Sequence, residues 1–186
     1  MKTVISDPGR SAGAARAAEE SSRGFRTAAG RFATGVAVAT SQVDGSPVGM
    51  TVNSFATVSL DPMLLLVCLC QHSRLLAAVT RSGVFAVTVL AADQRACARW
   101  FASPGRPAGP AEFAGVPHHT DPRTGCPLLS DGLAYFGCTS YQQHESGDHV
   151  VLIGRAQSWG LLQPGPPLLF ADGGYCDVSP AQAEQY

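Results

Sequence analysis

The sequence lacks the features that would let it bind nucleic acid or cross a membrane. Its 13 basic residues are balanced by 14 acidic ones, and no basic run is longer than a pair, so the positive surface of a nucleic-acid-binding protein is missing. The longest strongly apolar run, residues 63–70, is too short to span a bilayer, and residues 1–20 carry no apolar signal core. We expect a cytoplasmic protein whose partners are small molecules or other proteins, with no nucleic acid and no membrane.

Several motifs of common catalytic and binding sites are also missing. The six cysteines include no C-x-x-C pair and no matching histidine spacing, so we expect no metal site and mostly buried, reduced thiols. There is no G-x-G-x-x-G turn, P-loop or G-x-S-x-G elbow, which excludes the usual nucleotide cradles and the hydrolase nucleophile. If the protein is an enzyme, its reactive group is expected to be a bound cofactor.

What the sequence does contain indicates one mainly β domain. A chain of 186 residues with 45% apolar content can bury a sizeable core without disulfides. Residues 1–21 hold proline, glycine and charge but no sustained apolar stripe, which predicts a flexible N-terminal arm. The predicted domain covers residues 22–180, and residues 181–186 form a C-terminal tail.

Three helices are predicted. An apolar stripe indicates the first from Ser22 to about Gly35. Ser73 and Gly83 are typical caps for the start and end of the second. Asp93 is expected to begin the third. The buried face of that third helix is expected to carry Ala96, Trp100 and Cys97.

The remaining pattern predicts antiparallel strands. Asp44-Gly45 and Gly147-Asp148 mark two hairpin turns. Residues 49–60 are expected to continue as one strand, and the continuous apolar run at 63–70 predicts a central strand covered on both faces. These strands fit a closed antiparallel barrel with helices packed outside. The other predicted strands are 36–40, 84–90, 133–143, 149–162 and 166–175.

The stretch "GMTVNSFATVSLDP", residues 49–62, has an unusual polar face. Thr51, Asn53, Thr57 and Ser59 alternate with apolar residues, and one large aromatic residue, Phe55, lies among them. Small hydroxyls and an amide at a fixed repeat could meet the polar edge of a flat heteroaromatic cofactor. The alternative is an ordinary solvated face of an antiparallel sheet.

A second candidate feature follows in "QHSRL". Ser73 and Arg74 fall at a predicted helix start, where backbone N–H groups and the helix dipole favour an anion such as a phosphate. An ordinary N-cap beside a solvated arginine is the alternative. The polar strand and this helix start together match the two ends of one ligand, a ring and a phosphate.

Several blocks in order carry a family resemblance. From Phe25 to Tyr175 the chain resembles the flavin reductase family with an FMN-binding split barrel, the small reductase components of two-component flavin-dependent monooxygenases. The resemblance implies a homodimer of six-stranded antiparallel Greek-key barrels, with the flavin between the barrel wall and the partner subunit. The blocks are "FRTAAGRFATGVAVAT", "GMTVNSFATVSLDPMLLLVCL", "HSR", "SGVFAVTVL", "TGCPLL" and "GDHVVLIGRA".

The resemblance also implies site residues. His149 would lie near the exposed ring face as the catalytic-site residue where the nicotinamide enters, although a strand-end histidine bonded within its hairpin is equally consistent. Tyr175 would border the same pocket, whereas Asp61 is expected to be a turn residue. The remaining cofactor-binding residues are Thr51, Asn53, Ser54, Ser59 and Leu60 along the ring and ribityl chain, and His72, Ser73 and Arg74 at the phosphate.

The chain departs from the family pattern at four positions. Thr88 replaces an amide, Leu75 removes a hydroxyl from the phosphate loop, and Phe170 stands where a tyrosine is common. Asp172 stands where a basic residue is common, which favours NADH over NADPH because a negative charge disfavours the additional phosphate.

The function that the resemblance implies is NAD(P)H-dependent reduction of FMN or FAD, with reduced flavin supplied to a partner monooxygenase. A flavoenzyme that holds its flavin tightly and acts directly on an organic substrate is an alternative, motivated by the changes at Thr88, Leu75 and Phe170, which are expected to line the pocket. A non-catalytic flavin- or haem-binding module and a structural dimer with an empty groove are two further alternatives.

Overall fold

The computed structural model describes residues 8–176, with side chains described from Arg16 onward. Its first helix, α1, spans Pro8–Ala29, so the expected helix start at Ser22 is wrong and the helix runs through most of the predicted N-terminal arm, whose flexibility stays a prediction. Alanine has the highest helix propensity, and proline fits the first helical position, so the first part of α1, up to residue 21, forms without a sustained apolar stripe. It ends at Ala29 rather than near Gly35, and its side chains from Arg16 to Ala29 are exposed. The expectations for residues 1–7 and 177–186 lie outside the described residues.

A seven-stranded antiparallel sheet forms the body of the protein. Its strand order is β3-β2-β6-β9-β10-β5-β4, and two small sheets, β1-β11-β12 and β7-β8, flank it. The strands, in chain order, are β1 Thr34–Gly35, β2 Ala37–Val43, β3 Ser46–Val52, β4 Ala56–Leu60, β5 Met63–Cys70, β6 Val84–Val89, β7 His118–Thr120, β8 Pro127–Leu129, β9 Ala134–Ser146, β10 His149–Leu161, β11 Leu169–Ala171 and β12 Gly174–Cys176.

The predicted single strand over 49–60 is broken in two. Residues 53–55 form a bend, β3 pairs with β2, and β4 pairs with β5, so the two halves lie at opposite edges of the sheet. Counted as one interrupted strand, they bring the total to the six strands expected. The mainly β, antiparallel split-barrel prediction is therefore confirmed, and the prediction of one continuous polar strand face is wrong.

Ser54 joins the two edges at this bend. Its hydroxyl oxygen accepts a hydrogen bond from the Cys68 N–H at 2.8 Å and lies 3.2 Å from the Cys68 carbonyl oxygen, to which the hydroxyl donates. The ladder between β4 and β5 begins only at the Ala56–Leu66 pair. The serine side chain therefore satisfies both backbone groups of Cys68, where no strand residue pairs with it from this side.

The hairpin turns and the second helix agree with the sequence. Asp44 and Gly45 both have positive φ, 52° and 75°, as a tight turn between twisted strands requires. Helix α2 spans Arg74–Ser82. The Ser73 hydroxyl accepts from the Leu76 N–H at 3.2 Å, and Gly83 ends the helix in the left-handed conformation.

Helix α3 spans Arg95–Ala102 and differs in detail from its prediction. Gln94 rather than Asp93 occupies the N-cap position, and Ala98 and Phe101 form the buried face. Of the residues expected on the buried face, Cys97 and Trp100 are half-buried and pack against the core, whereas Ala96 is exposed. Helix α3 packs on β3, where the absent side chain of Gly49 makes room. A Cβ atom on Gly49 would lie 2.6 Å from the Phe101 ring.

The apolar core has three parts. The barrel interior is filled from its strands and closed by α2, and the second part lies between the sheet, α3 and β11. A small third cluster holds Ala86, Cys126 and Leu128. The central strand β5 alternates: Leu65, Val67 and Leu69 are buried, whereas its other face is only half-buried. The expectation that β5 is covered on both faces is therefore wrong within the single chain.

Replacing Ser54 by alanine should weaken the connection between the bend at residues 53–55 and β5. The Cys68 N–H and carbonyl lose their partner, and an unsatisfied buried backbone group costs about 1–3 kcal/mol. We expect the free energy of unfolding, measured with urea, to fall by about that amount for Ser54→Ala. The matched control Ser59→Ala removes a hydroxyl from an exposed turn contact and should change stability by about 0.5 kcal/mol or less. Equal stability of Ser54→Ala and wild type would contradict this account of the connection.

Candidate functional site

One pocket brings together three of the predicted cofactor-binding residues. Thr51, Asn53 and Tyr175 line a cavity of about 180 Å³. Thr51 belongs to β3, Asn53 begins the bend after it, and Tyr175 lies on β12 near the end of the described chain. The pocket is completed by Val36, Val52, Ala102 and Phe170.

The two polar side chains from the β3 segment are available to different degrees. The Thr51 hydroxyl donates a 2.7 Å hydrogen bond to the Ala98 carbonyl of α3, so only its acceptor lone pairs remain for a ligand. Asn53 is exposed, and its amide can both donate and accept. The pocket therefore offers an amide with both functions next to an oriented hydroxyl acceptor.

The aromatic side of the pocket is fixed by a tight turn. Phe170 and Tyr175 meet edge to face, with ring centroids 5.6 Å apart. Partial burial raises the pKa of Tyr175, and the charge of Arg99 acts in the opposite direction, so the phenol stays a neutral donor near pH 7. In the turn, Asp172 has φ 50° and pairs with Arg31 at 3.3 Å.

The start of α2 has the geometry of an anion site. Ser73 caps one N–H of the first turn, and the remaining N–H groups of that turn point along the helix axis. The Arg74 side chain is 41% exposed; Nη1 donates to the Pro107 carbonyl at 3.1 Å, and Nη2 lies 3.5 Å from Glu112 Oε1. Since a guanidinium has five N–H donors, Arg74 retains donors for a phosphate. His72 is exposed just before it.

Glu112, which the sequence did not single out, connects this helix start to β3. It is fully buried, and its Oε1 accepts from Arg106 Nε at 2.5 Å and from the Gly49 N–H at 3.4 Å. Arg106 also donates to the Gly49 carbonyl, at 2.5 Å. The Pro- and Gly-rich loop that carries Arg106 and Glu112 therefore contacts both β3 and Arg74 through one buried carboxylate. Its apolar neighbours in "AEFAGV" indicate burial, but not its partners.

His149 lies at the first position of β10. Its Nδ1 is 2.7 Å from Asp148 Oδ1, and the hydrogen bond and charge of His149 lower the pKa of Asp148. The hydrogen bond within the hairpin, which the sequence offered as the alternative role of this histidine, is therefore formed. Because Nε2 is not used by this bond, it does not exclude a role beside a bound ring, and that role stays a prediction.

The predicted site residues outside the pocket divide into two groups. Those near the carboxyl end of β5 lie together: Ser54 binds Cys68, His149 pairs with Cys70, and the helix start follows at once. Ser59 and Leu60 pair with Leu64 and Met63 at the other end of β5, four strand residues or about 13 Å from Cys68. Within one chain the structure does not bring Ser59 and Leu60 to the pocket. The Ser59 hydroxyl instead accepts from the Asp61 N–H, so Asp61 is a turn residue, as expected.

Three changes from the family pattern suggested a flavoenzyme that acts directly on an organic substrate, and two of them lie in the core. Thr88 is fully buried, and its hydroxyl accepts from the Leu129 N–H at 3.2 Å. Leu75 belongs to α2 and lies on its buried face. Only Phe170 lines the pocket, so the expectation that all three alter pocket-lining positions is wrong.

The described part of the chain contains neither a metal-binding cluster nor a helix that could span a membrane. Within it, no three His, Cys, Asp or Glu side chains are grouped so that they could hold a metal ion. None of its helices has the length and apolar character needed to cross a membrane.

Comparison with known proteins identifies the family. A model described as the flavin reductase like domain matches residues 29–179. The chain belongs to this flavin reductase family. It is 42% identical over 159 residues to HsaB, the reductase subunit of a flavin-dependent monooxygenase from Rhodococcus jostii (strain RHA1), covering 85% of this chain and 78% of HsaB.

Two further flavin reductases are similar to the chain. The FMN reductase (NADH) SmoA of Agrobacterium fabrum (strain C58 / ATCC 33970) is 37% identical over 156 residues, covering 84% of this chain and 86% of SmoA. The structure of the NADH:FAD oxidoreductase SgcE6 from Streptomyces globisporus C-1027, with NAD and FAD fragments, superposes with a TM-score of 0.81. It is 29% identical and covers 96% of this chain and 99% of SgcE6.

Proposed function

We propose that this chain is an NADH-dependent flavin reductase that reduces FMN or FAD and supplies the reduced flavin to a partner monooxygenase. The observation that carries the proposal is the convergence of Thr51, Asn53 and Tyr175 on one pocket, in a chain of the flavin reductase family. The similar reductase subunit HsaB belongs to a flavin-dependent monooxygenase, which supports the partner.

The residues present fit a flavin. Asn53 and the acceptor side of Thr51 suit the alternating donors and acceptors on the edge of an isoalloxazine. The Phe170–Tyr175 pair offers an aromatic wall for the ring system. Arg74 and the first N–H groups of α2 suit a phosphate, with the Ser73 cap fixing the helix start.

The chain contributes to the reaction mainly by positioning. A bound flavin supplies the chemistry by accepting a hydride at its N5. The rigid strand β3, held by the Thr51–Ala98 and Glu112 contacts, would fix the ring so that the nicotinamide carbon can approach to about 3–3.5 Å. Since the chain has no dinucleotide fingerprint, the pyridine nucleotide would bind by stacking over the exposed ring face, near His149.

The turn between β11 and β12 supports NADH as the donor. Asp172 places a carboxylate beside the pocket's aromatic wall and occupies the Arg31 guanidinium through their 3.3 Å ion pair. The additional phosphate of NADPH would meet this negative charge and a cation that is already paired. The similar SmoA is named for its use of NADH.

A steady-state assay under anaerobic conditions tests the proposal. With FMN or FAD in large excess over protein, NADH consumption should continue for many turnovers and reduce the free flavin pool. Consumption of one equivalent per protein would contradict an exchanging reductase and favour a tightly held flavin that acts on another substrate. NADPH at equal concentration should give slower turnover. Heat-denatured protein and a mixture of NADH and flavin alone control for non-enzymatic reduction.

A homodimer is the second part of the proposal. The pocket of about 180 Å³ is smaller than the ~300–1,000 Å³ of typical small-molecule sites, so one chain supplies only one wall. The outer face of β5 and β10 is also apolar, with half-buried Leu64, Leu66, Val151 and Ile153, although a solvated sheet face is normally polar. A second copy packed on this face would cover it and complete the site.

A charge on the outer face should separate the two copies. Leu66→Glu places a carboxylate opposite Ile153 on this face, where burial against a partner would leave it unpaired. We expect wild type to elute as a dimer in size-exclusion chromatography with light scattering, and Leu66→Glu as a folded monomer with weakened flavin binding. Ala96→Glu, at an exposed position on α3, is the matched control and should remain dimeric. A monomeric wild type, or a dimeric Leu66→Glu, would contradict this interface.

A further inference from the structure

Cys70 and His149 lie directly opposite each other at the end of the β5–β10 ladder. They are register partners, and the next hydrogen bond outward runs from the Gln71 N–H to the Asp148 carbonyl at 3.1 Å. That bond makes Cys70 and His149 a non-hydrogen-bonded antiparallel pair, the type in which directly opposite side chains are closest. Cβ atoms in such pairs are about 4.5–5.5 Å apart.

Contacts on both sides hold the pair in place. The Gln71 side chain donates to the Gly147 carbonyl at 3.0 Å, which ties the end of β5 to the hairpin turn. Asp148 Oδ1 accepts from His149 Nδ1–H at 2.7 Å. This bond fixes the tautomer in which Nε2 can accept a proton, so the three residues have the order of a thiol, a base and an orienting carboxylate.

We propose that Cys70 is a nucleophilic thiol activated by His149 and is a site of reversible oxidation by hydrogen peroxide. The activation of the thiol rests on the geometry of this pair, whereas the source of the peroxide rests on the proposed reductase function. His149 takes the thiol proton, and the sulfur attacks one peroxide oxygen. The O–O bond breaks, the departing hydroxide takes the proton from His149, and the products are a sulfenic acid and water. Sulfur is oxidised by two electrons, and peroxide is reduced to water.

Hydrogen peroxide is the fitting oxidant for this position. Free reduced flavin reacts with oxygen to form peroxide, so a flavin reductase working in air is exposed to its own by-product. In the single chain Cys70 is solvent-exposed; it lies at the end of β5, four residues beyond the Leu66–Ile153 pair of the proposed dimer face, next to the predicted phosphate-binding helix start. A thiol reductant would restore the thiol, because sulfenic acid condenses with thiols to a reducible disulfide.

The other cysteines provide internal controls. Burial raises the pKa of Cys97 and Cys126 to about 11 and that of Cys138 to about 12, which keeps these thiols protonated and unreactive at neutral pH. Cys68 lies two residues from Cys70 on the same face of β5 but is only partly exposed. Its register partner on β10 is Val151 rather than a histidine.

Site-resolved alkylation tests the proposal. The full-length protein is treated at pH 7 with limiting iodoacetamide, and each cysteine peptide is followed by mass spectrometry. We expect Cys70 to react roughly tenfold faster than Cys68, as thiols beside a proton acceptor do, and His149→Gln to remove most of this difference. Equal rates for Cys70 and Cys68, or an unchanged Cys70 rate in His149→Gln, would overturn the activation by His149.

Peroxide treatment tests the chemistry itself. Wild type exposed to hydrogen peroxide and then to dimedone should carry the dimedone adduct on Cys70, and dithiothreitol added before dimedone should abolish it. Cys70→Ser should carry no such adduct, and His149→Gln should form it more slowly. An adduct found mainly on another cysteine, or none at all, would overturn the proposed oxidation site. Circular dichroism of both variants checks that they are folded, which their exposed positions favour.

Discussion

The hydrogen bonds between Ser54 and the backbone of Cys68 are the constraint on which the site depends. A side-chain hydroxyl replaces a strand residue at one point of the ladder, so the chain can turn at residues 53–55 and still satisfy β5. The turn sends β3 and β4 to opposite edges of the sheet. It also leaves Asn53 exposed beside Thr51 at the pocket, where a continuous strand would have spread its polar residues along one long face.

A second set of contacts connects the two ends of the site. Glu112 binds Arg106, the Gly49 N–H and Arg74 from within the core. A buried ion pair is weak evidence for stability, because desolvation of the charges offsets their attraction. Its consequence here is geometric: β3, which carries Thr51, and α2, which carries Arg74, are held by the same carboxylate. The residues proposed for the ring and those proposed for the phosphate therefore keep a fixed separation, as the proposed hydride transfer between two stacked rings would require.

The sequence predicted the elements whose signals are local. The cap Ser73, the terminator Gly83 and the Asp44-Gly45 turn each follow from the chemistry of one or two residues. The break in the polar strand was missed because apolar residues continue to alternate through Val52, Ala56 and Val58, although the two halves pair with different strands. The start of helix α1 was predicted too late because the helix propensity of alanine leaves no periodic apolar stripe in the sequence. Glu112 was missed because its partners, Gly49, Arg74 and Arg106, are brought to it only by the fold.

The central claim is that a flavin lies along β3 with its phosphate at the start of α2. Equilibrium fluorescence quenching with FMN and with riboflavin, which has no phosphate, tests it most directly in wild type and Arg74→Ala. The account predicts that Arg74→Ala weakens FMN binding roughly tenfold, equivalent to about 1.4 kcal/mol, and leaves riboflavin binding unchanged. Arg81→Ala, in the last turn of the same helix, should affect neither ligand. Equal losses for FMN and riboflavin, or no loss for FMN, would contradict the placement of the phosphate at this helix.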